Sequence, residues 1–181
     1  MRFYVGELGE FESAFDREAL AAIRNGVAQF GAPVARLKLP PIDFAFDVKR
    51  RQYASIAVLQ QIDRWRPPDA WKLLAVTAHD LFLPVLTFVF GQAQLGGRAG
   101  VVSLARLKQE FYGLAPDREI LIERAAKEAL HETGHLFSLA HCEDRTCAMA
   151  LSTNVRQIDS KRAGFCPACA GRLARQREKG L

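Results

Sequence analysis

His131-Glu132-Thr133-Gly134-His135-Leu136-Phe137-Ser138-Leu139-Ala140-His141 is the stretch on which the reading of this chain turns. On a helix, residues four apart share a face, so His131 and His135 project together and can reach one ion. Glu132 stands one position further round, near enough to take a proton from a water on that ion and angled away from ligating it. Two zinc ligands and a general base are the mechanical content of H-E-x-x-H. His141, six residues after His135, offers a third nitrogen. Three protein ligands leave zinc's fourth position open to water, which separates a catalytic site from a structural one.

A second constellation follows at once. Cys142-x4-Cys147 and Cys166-x2-Cys169 supply two thiol pairs, the set expected of a closed tetrahedral zinc site. Metal bound there organises a segment too small for an apolar core of its own. Cys166-Pro167-Ala168-Cys169 alone also has the spacing of a redox pair, but that motif usually opens a helix after a strand, and here it lies at the tail. Three of the four histidines and all four cysteines fall between His131 and Cys169, so the two metal sites are read together.

The remaining composition sets bounds. The 181 residues suit one domain with a sizeable core, and 49% apolar against 25% charged residues is ordinary for a folded protein. The start, Met1-Arg2-Phe3-Tyr4-Val5-Gly6-Glu7, has no apolar run of the secretory kind. The longest mostly apolar stretch, residues 81–90, is interrupted by Pro84 and is too short to cross a bilayer. A cytoplasmic protein is expected, and in a reducing compartment closely spaced cysteines mean metal rather than disulfides. The net charge of +5 is scattered. Its small clusters, Lys49-Arg50-Arg51 and Arg172, Arg175, Arg177 and Lys179, lack interleaved aromatics, so nucleic acid is not the expected partner.

Periodicity predicts strands over 3–8, 33–39 and 72–77, a helix over 13–30 capped by Ser13, and a helix over 52–65. Two further strands, 86–95 and 100–107, read as a hairpin across Gly96-Gly97. Pro116-Asp117 opens a long helix running to about Ser138. The alternation predicts a mixed sheet covered by helices. It also divides the chain into an N-terminal subdomain of about 1–138 and a C-terminal one of about 139–181, with the metal in the cleft between them. Lys127, one turn before His131, is expected to be solvated; His79 is expected to have a structural or surface role rather than a substrate contact, and Trp65 and Trp71 to be packing anchors.

H-E-x-x-H-x-x-G-x-x-H followed by a methionine turn is the metzincin signature. With a cysteine directly after the third histidine, then C-x4-C-x-M and a later C-x-x-C, the chain resembles the archaemetzincin family in particular. The matching residues are His131, Glu132, His135, His141, Cys142, Cys147, Met149, Cys166 and Cys169, and the likeness continues upstream through Asp80-Leu81-Phe82, Phe88-Val89-Phe90-Gly91 and Val101-Val102-Ser103-Leu104. The resemblance implies an α+β, zincin-like (metzincin) fold with one catalytic and one four-cysteine zinc. It also implies a floor at Met149 beneath the metal and an edge strand at Phe88, Val89, Phe90 and Gly91 that pairs with substrate. The expected activity is zinc-dependent hydrolysis of peptide bonds by a monomer acting on peptide or protein.

One departure stands out: Ser138 occupies the place of the family's glycine. A left-handed turn there would cost serine roughly 1 kcal/mol or more, so the path of His141 back to the metal is in question. Ser138, together with the lack of an evident second electrophile after Met149, motivates the first rival reading, a silent or very selective descendant of the same fold. The cysteine quartet and basic tail motivate the second, a zinc-ribbon-like nucleic-acid module.

Overall fold

Arg2–Leu8 forms β1, whose side chains alternate between two apolar layers. Phe3 and Val5 face one, Tyr4 and Leu8 the other, as the period of two in a strand requires. A strand buried on both faces belongs in the middle of a sheet flanked by helices. The computed structural model describes residues 1–11 and 13–178; Lys179 of the basic C-terminal cluster lies outside them.

After β1 the chain runs through α1 (Ala14–Ala28), β2 (Val34–Leu39), β3 (Phe46–Asp47), β4 (Gln52–Ala54), α2 (Ser55–Trp65), β5 (Ala70–Thr77), β6 (Leu81–Phe82), β7 (Gly91–Ala93) and β8 (Ala99–Ser103). It finishes with α3 (Arg118–Leu136), α4 (Val155–Asp159) and α5 (Pro167–Glu178). The main sheet has the order β2-β1-β5-β8-β7 and is parallel except for β7, which turns back antiparallel on β8. Helices α1 and α3 cover one face over Phe3, Val5, Leu74, Val76 and Val102. Helix α2 covers the other, its Val58, Leu59 and Ile62 packing with Leu73, Ala75 and Val101. A mixed sheet between helices is the expected architecture.

Some expected boundaries move. Residues 52–54 are strand rather than helix, because β4 joins β3 and β6 in a small second sheet. Gln52 pins that extended start by donating to Asp80 and to the Thr87 carbonyl. The strand expected over 86–95 shrinks to β7; the chain before it is a loop entered at Pro84 and tied back where Val89 bridges Leu81. The strand expected over 100–107 ends at Ser103, whose Oγ accepts from the Ala105 N–H and starts a 3-10 turn. Trp65 packs edge-on to Phe44, and Trp71 edge-on to Phe137, as anchors should.

Helix α3 begins at Asp117, whose carboxylate accepts from the Ile120 N–H at 3.0 Å. Its other end resolves the question that Ser138 raised. Ser138 takes up φ 61°, the Leu139 N–H donates to Gly134 O at 3.0 Å, and the Ser138 N–H donates to His135 O at 2.9 Å. That pair of bonds is a Schellman closure with serine in the left-handed position that glycine usually fills. Phe137 is fully buried just before the turn, stacked on Phe30 with ring centroids 5.1 Å apart.

Phe137→Ala is expected to cost about 3–5 kcal/mol of unfolding free energy, measured by denaturant titration. Ser138→Gly, relieving the left-handed backbone, is expected to add about 1 kcal/mol, seen as a melting point higher by about 2–4 °C.

Candidate metal centre

Helix α3 carries Arg124, the adjacent pair Lys127 and Glu128, His131 and His135 at successive turns, which places them along one broad face. The segment after the helix supplies a partner for each. Arg124 grips Asp159 with two bonds of 2.6 and 2.8 Å, and Lys127 donates to the Asp159 carbonyl at 3.1 Å. Lys161 sits 3.5 Å from the Glu128 carboxylate. His131 donates from Nδ1 to the Ala148 carbonyl at 2.8 Å, and His135 from Nδ1 to the Leu139 carbonyl at 2.7 Å. Lys127 is therefore not solvated as expected: it is 1% exposed and also bound to Glu123. The spacing that put it on the histidine face was correctly read; what the sequence did not reveal was that the returning chain covers that face.

The structure brings His131, His135 and His141 together. One ring nitrogen from each lies within 4.8 Å of the others. The His141 ring lies nearly parallel to that of His131 at 5.3 Å and edge-on to that of His135 at 5.0 Å. The carbonyls opposite Nδ1 can only accept, so the protons of His131 and His135 sit there and both Nε2 atoms present lone pairs. Those Nε2 atoms are 3.0 Å apart. Burial lowers the proton affinity of all three imidazoles, His131 furthest, and no neutral group reconciles the facing lone pairs. A cation does: zinc with arms of 2.0–2.1 Å separates its nitrogen ligands by about 3.3 Å. The residues present fit the metal.

Glu132 points into the same cavity, 4% exposed, with Oε2 lacking a hydrogen bond among the described residues. Burial, and secondarily the charge of Glu128, push its carboxyl well above the usual carboxylate range, with Lys161 opposing. Its closest wall is backbone. A Cβ on Gly91 would lie 2.6 Å from Glu132 Oε1, so only glycine lets β7 approach this carboxylate. Met149 lies beneath the helix, its sulfur occupying the space that a Cβ on Gly134 would need. The cavity measures about 410 Å³, and Phe88, Val89, Phe90 and Gly91 line it together with the three histidines. His79 is not part of it; its ring stacks on Tyr53 at 4.3 Å.

The four sulfurs of Cys142, Cys147, Cys166 and Cys169 also lie within 4.8 Å of one another, and none is in a disulfide. Cys142 and Cys166 are 3.8 Å apart, the spacing of about 3.8 Å that a tetrahedron with 2.3 Å zinc–sulfur arms requires. The Cys147 sulfur accepts from the backbone N–H groups of Met149 and Cys166, which suits a thiolate ligand. Cys166 is drawn down to about 7, chiefly by the Cys169 N–H, while burial pushes Cys169 up.

Comparison with known proteins agrees with this geometry. Residues 32–175 match the model of peptidase family M54. An archaemetzincin from Methanocaldococcus jannaschii is 40% identical over 138 residues, 75% of each chain. The crystal structure of the archaemetzincin from Methanopyrus kandleri superposes with a TM-score of 0.84 at 33% identity, covering 98% of this chain and 96% of that one. A zinc-dependent peptidase from Methanocorpusculum labreanum superposes with a TM-score of 0.82 at 32% identity, covering 94% and 99%. The chain belongs to peptidase family M54, the archaemetzincins.

Proposed function

We propose that this chain hydrolyses peptide bonds at a zinc held by His131, His135 and His141, with Glu132 as general base, and that Cys142, Cys147, Cys166 and Cys169 hold a second, structural zinc. The observation that carries the reading is the pair of Nε2 lone pairs 3.0 Å apart, each fixed by an Nδ1–carbonyl bond, beside a buried carboxylate in an open cavity. Zinc bound there supplies a Lewis acid that lowers the pKa of a coordinated water to about 7 and polarises a peptide carbonyl.

The protein's own groups do the rest. The raised affinity of Glu132 for a proton suits a base that takes one from the attacking water and then hands it to the leaving amine. The carbonyls of Ala148 and Leu139 fix the tautomer and orientation of two ligands, the usual task of outer partners in a metal site. Strand β7 is the edge of the main sheet and pairs only with β8 within it, which suits backbone pairing with an extended peptide in the cavity.

The division into subdomains of about 1–138 and 139–181 belongs to the same proposal, with the metal in the cleft between them. So do a monomeric state and a cytoplasmic location, for which the unpaired cysteines suit a reducing compartment. Ser138 no longer favours the silent reading, because the turn closes around it. The very selective reading keeps one ground: no tyrosine, lysine or arginine lines the cavity among the described residues. The nucleic-acid module is disfavoured, since the cysteines pack with Met149 and Leu139 against the histidine site.

Purified protein is expected to contain two zinc ions per chain by elemental analysis, falling to one in His131→Ala. Glu132→Gln is expected to keep both while losing a factor of about 10²–10⁴ in peptide-library cleavage; equal cleavage by the two proteins would remove the enzymatic claim. Gly91→Ala, by crowding the Glu132 carboxylate, is expected to lower kcat at least tenfold with KM and zinc content little changed, as read from steady-state kinetics.

A further inference from the structure

The cleft does not end at the metal. Phe88 and Thr153 line both the metal-side cavity and a second cavity of about 440 Å³, so the two adjoin across these side chains as neighbouring compartments of one groove-like surface. The lining chemistry changes along it. The metal end carries Glu132, and Glu128, whose charge Lys161 offsets. The far end is lined by Arg106, Arg156, Tyr112 and Asn154, with no carboxylate among its lining residues.

The two arginines differ in how they are held. Arg106 is fixed: Nε and Nη2 bind Asp80 at 2.8 and 2.9 Å, and its guanidinium lies over Phe88 at 4.2 Å and over Phe111 at 4.6 Å. That leaves Nη1 without a partner among the described residues. Arg156 is exposed and makes neither ion pair nor hydrogen bond from its side chain to any described residue. Nearby charges cancel in pairs, Arg106 with Asp80 and Arg124 with Asp159. Arg156 is then the uncompensated charge at this end of the groove. The Tyr112 hydroxyl is committed to the Arg106 carbonyl, which holds the wall in place.

We propose that this second compartment is a carboxylate-recognition subsite, with Arg156 binding the anion and Arg106 Nη1 as a fixed second donor, so that the chain selects peptides bearing a carboxylate close to the scissile bond. The proposal rests on the peptidase reading above and names the substrate class for it. A guanidinium suits the task because its planar fork meets a carboxylate with two hydrogen bonds. The carboxylate has two sources, a peptide's own C-terminus or an aspartate or glutamate side chain.

The test uses the full chain as zinc-loaded Glu132→Gln, which binds peptide without turning it over, with calorimetry at fixed ionic strength. One arm compares a peptide ending in a free carboxylate with its C-terminal amide. The other walks an aspartate along an amidated peptide against asparagine at each position. The carboxylate member of at least one pair is expected to bind about tenfold tighter. Arg156→Gln added to this background is expected to bring that ratio near one, and Arg156→Lys to restore part of it. Arg64→Gln, which removes the same charge from α2, is expected to leave the ratio in place. Equal binding within every pair, a ratio that survives Arg156→Gln, or an equal loss in Arg64→Gln overturns the subsite. If wild-type cleavage still depends on Glu132, those results leave the peptidase reading standing. Absence of any peptide binding or cleavage overturns both.

Discussion

A helix with Arg124, Lys127, Glu128, His131 and His135 down one buried face can exist only if each polar head finds a partner, because an unpaired buried polar group costs about 1–3 kcal/mol and a buried charge more. The chain that returns after the helix meets this demand with Asp159, Lys161 and the carbonyls of Ala148 and Leu139. The geometry of the histidine cluster follows from that constraint. The bonds that satisfy the helix face also choose the histidine tautomers, turn both Nε2 atoms toward one point and set Met149 under it. Stability and ligand geometry are here the same set of contacts.

The end of α3 meets a related demand. Four carbonyls at a helix C-terminus lack intrahelical donors. The left-handed turn at Ser138 supplies two donors, and the Gly96 N–H reaches His135 O at 2.8 Å from the hairpin between β7 and β8. Lys72, buried in β5, donates to Leu136 O at 2.8 Å and to Gly97 O at 2.7 Å. Burial lowers this ammonium to about 8, yet its position at the negative end of the helix dipole is the favourable one for a cation. One side chain thus joins the sheet, the hairpin and the helix that carries His131 and His135.

Legibility in the sequence followed how local each signal was. The clustering of His131, His135 and His141, of the glutamate between them and of the two cysteine pairs was visible because residues a few positions apart on one helix and the turn after it form a pattern in chain order. So were the strands at Phe3, Val34 and Leu73, whose alternation or apolar run is self-contained. The small sheet of β3, β4 and β6 was not, since strands of two or three residues carry no periodicity, and β4 is held to β6 by a partner far along the chain, Tyr53 facing Leu81. Lys127 was misread for a related reason: its helix position was right, but its burial is decided by Asp159 and Glu123. The loop before Gly91 was misread as strand because residues that line a cavity are as apolar as residues that line a sheet. Arg106 and Arg156 gave no signal at all, being ordinary arginines until the fold sets them on one groove with Phe88.

The joint between the two ligand clusters has a mechanical consequence. His141 and Cys142 are neighbours in the chain, and only Ala148 separates Cys147 from Met149. Consecutive Cα atoms are 3.8 Å apart, so the sulfur tetrahedron and the imidazole cluster are built on a shared length of backbone with no slack between them. A change of geometry at Cys142 or Cys147 therefore acts on backbone that also carries His141 and Met149.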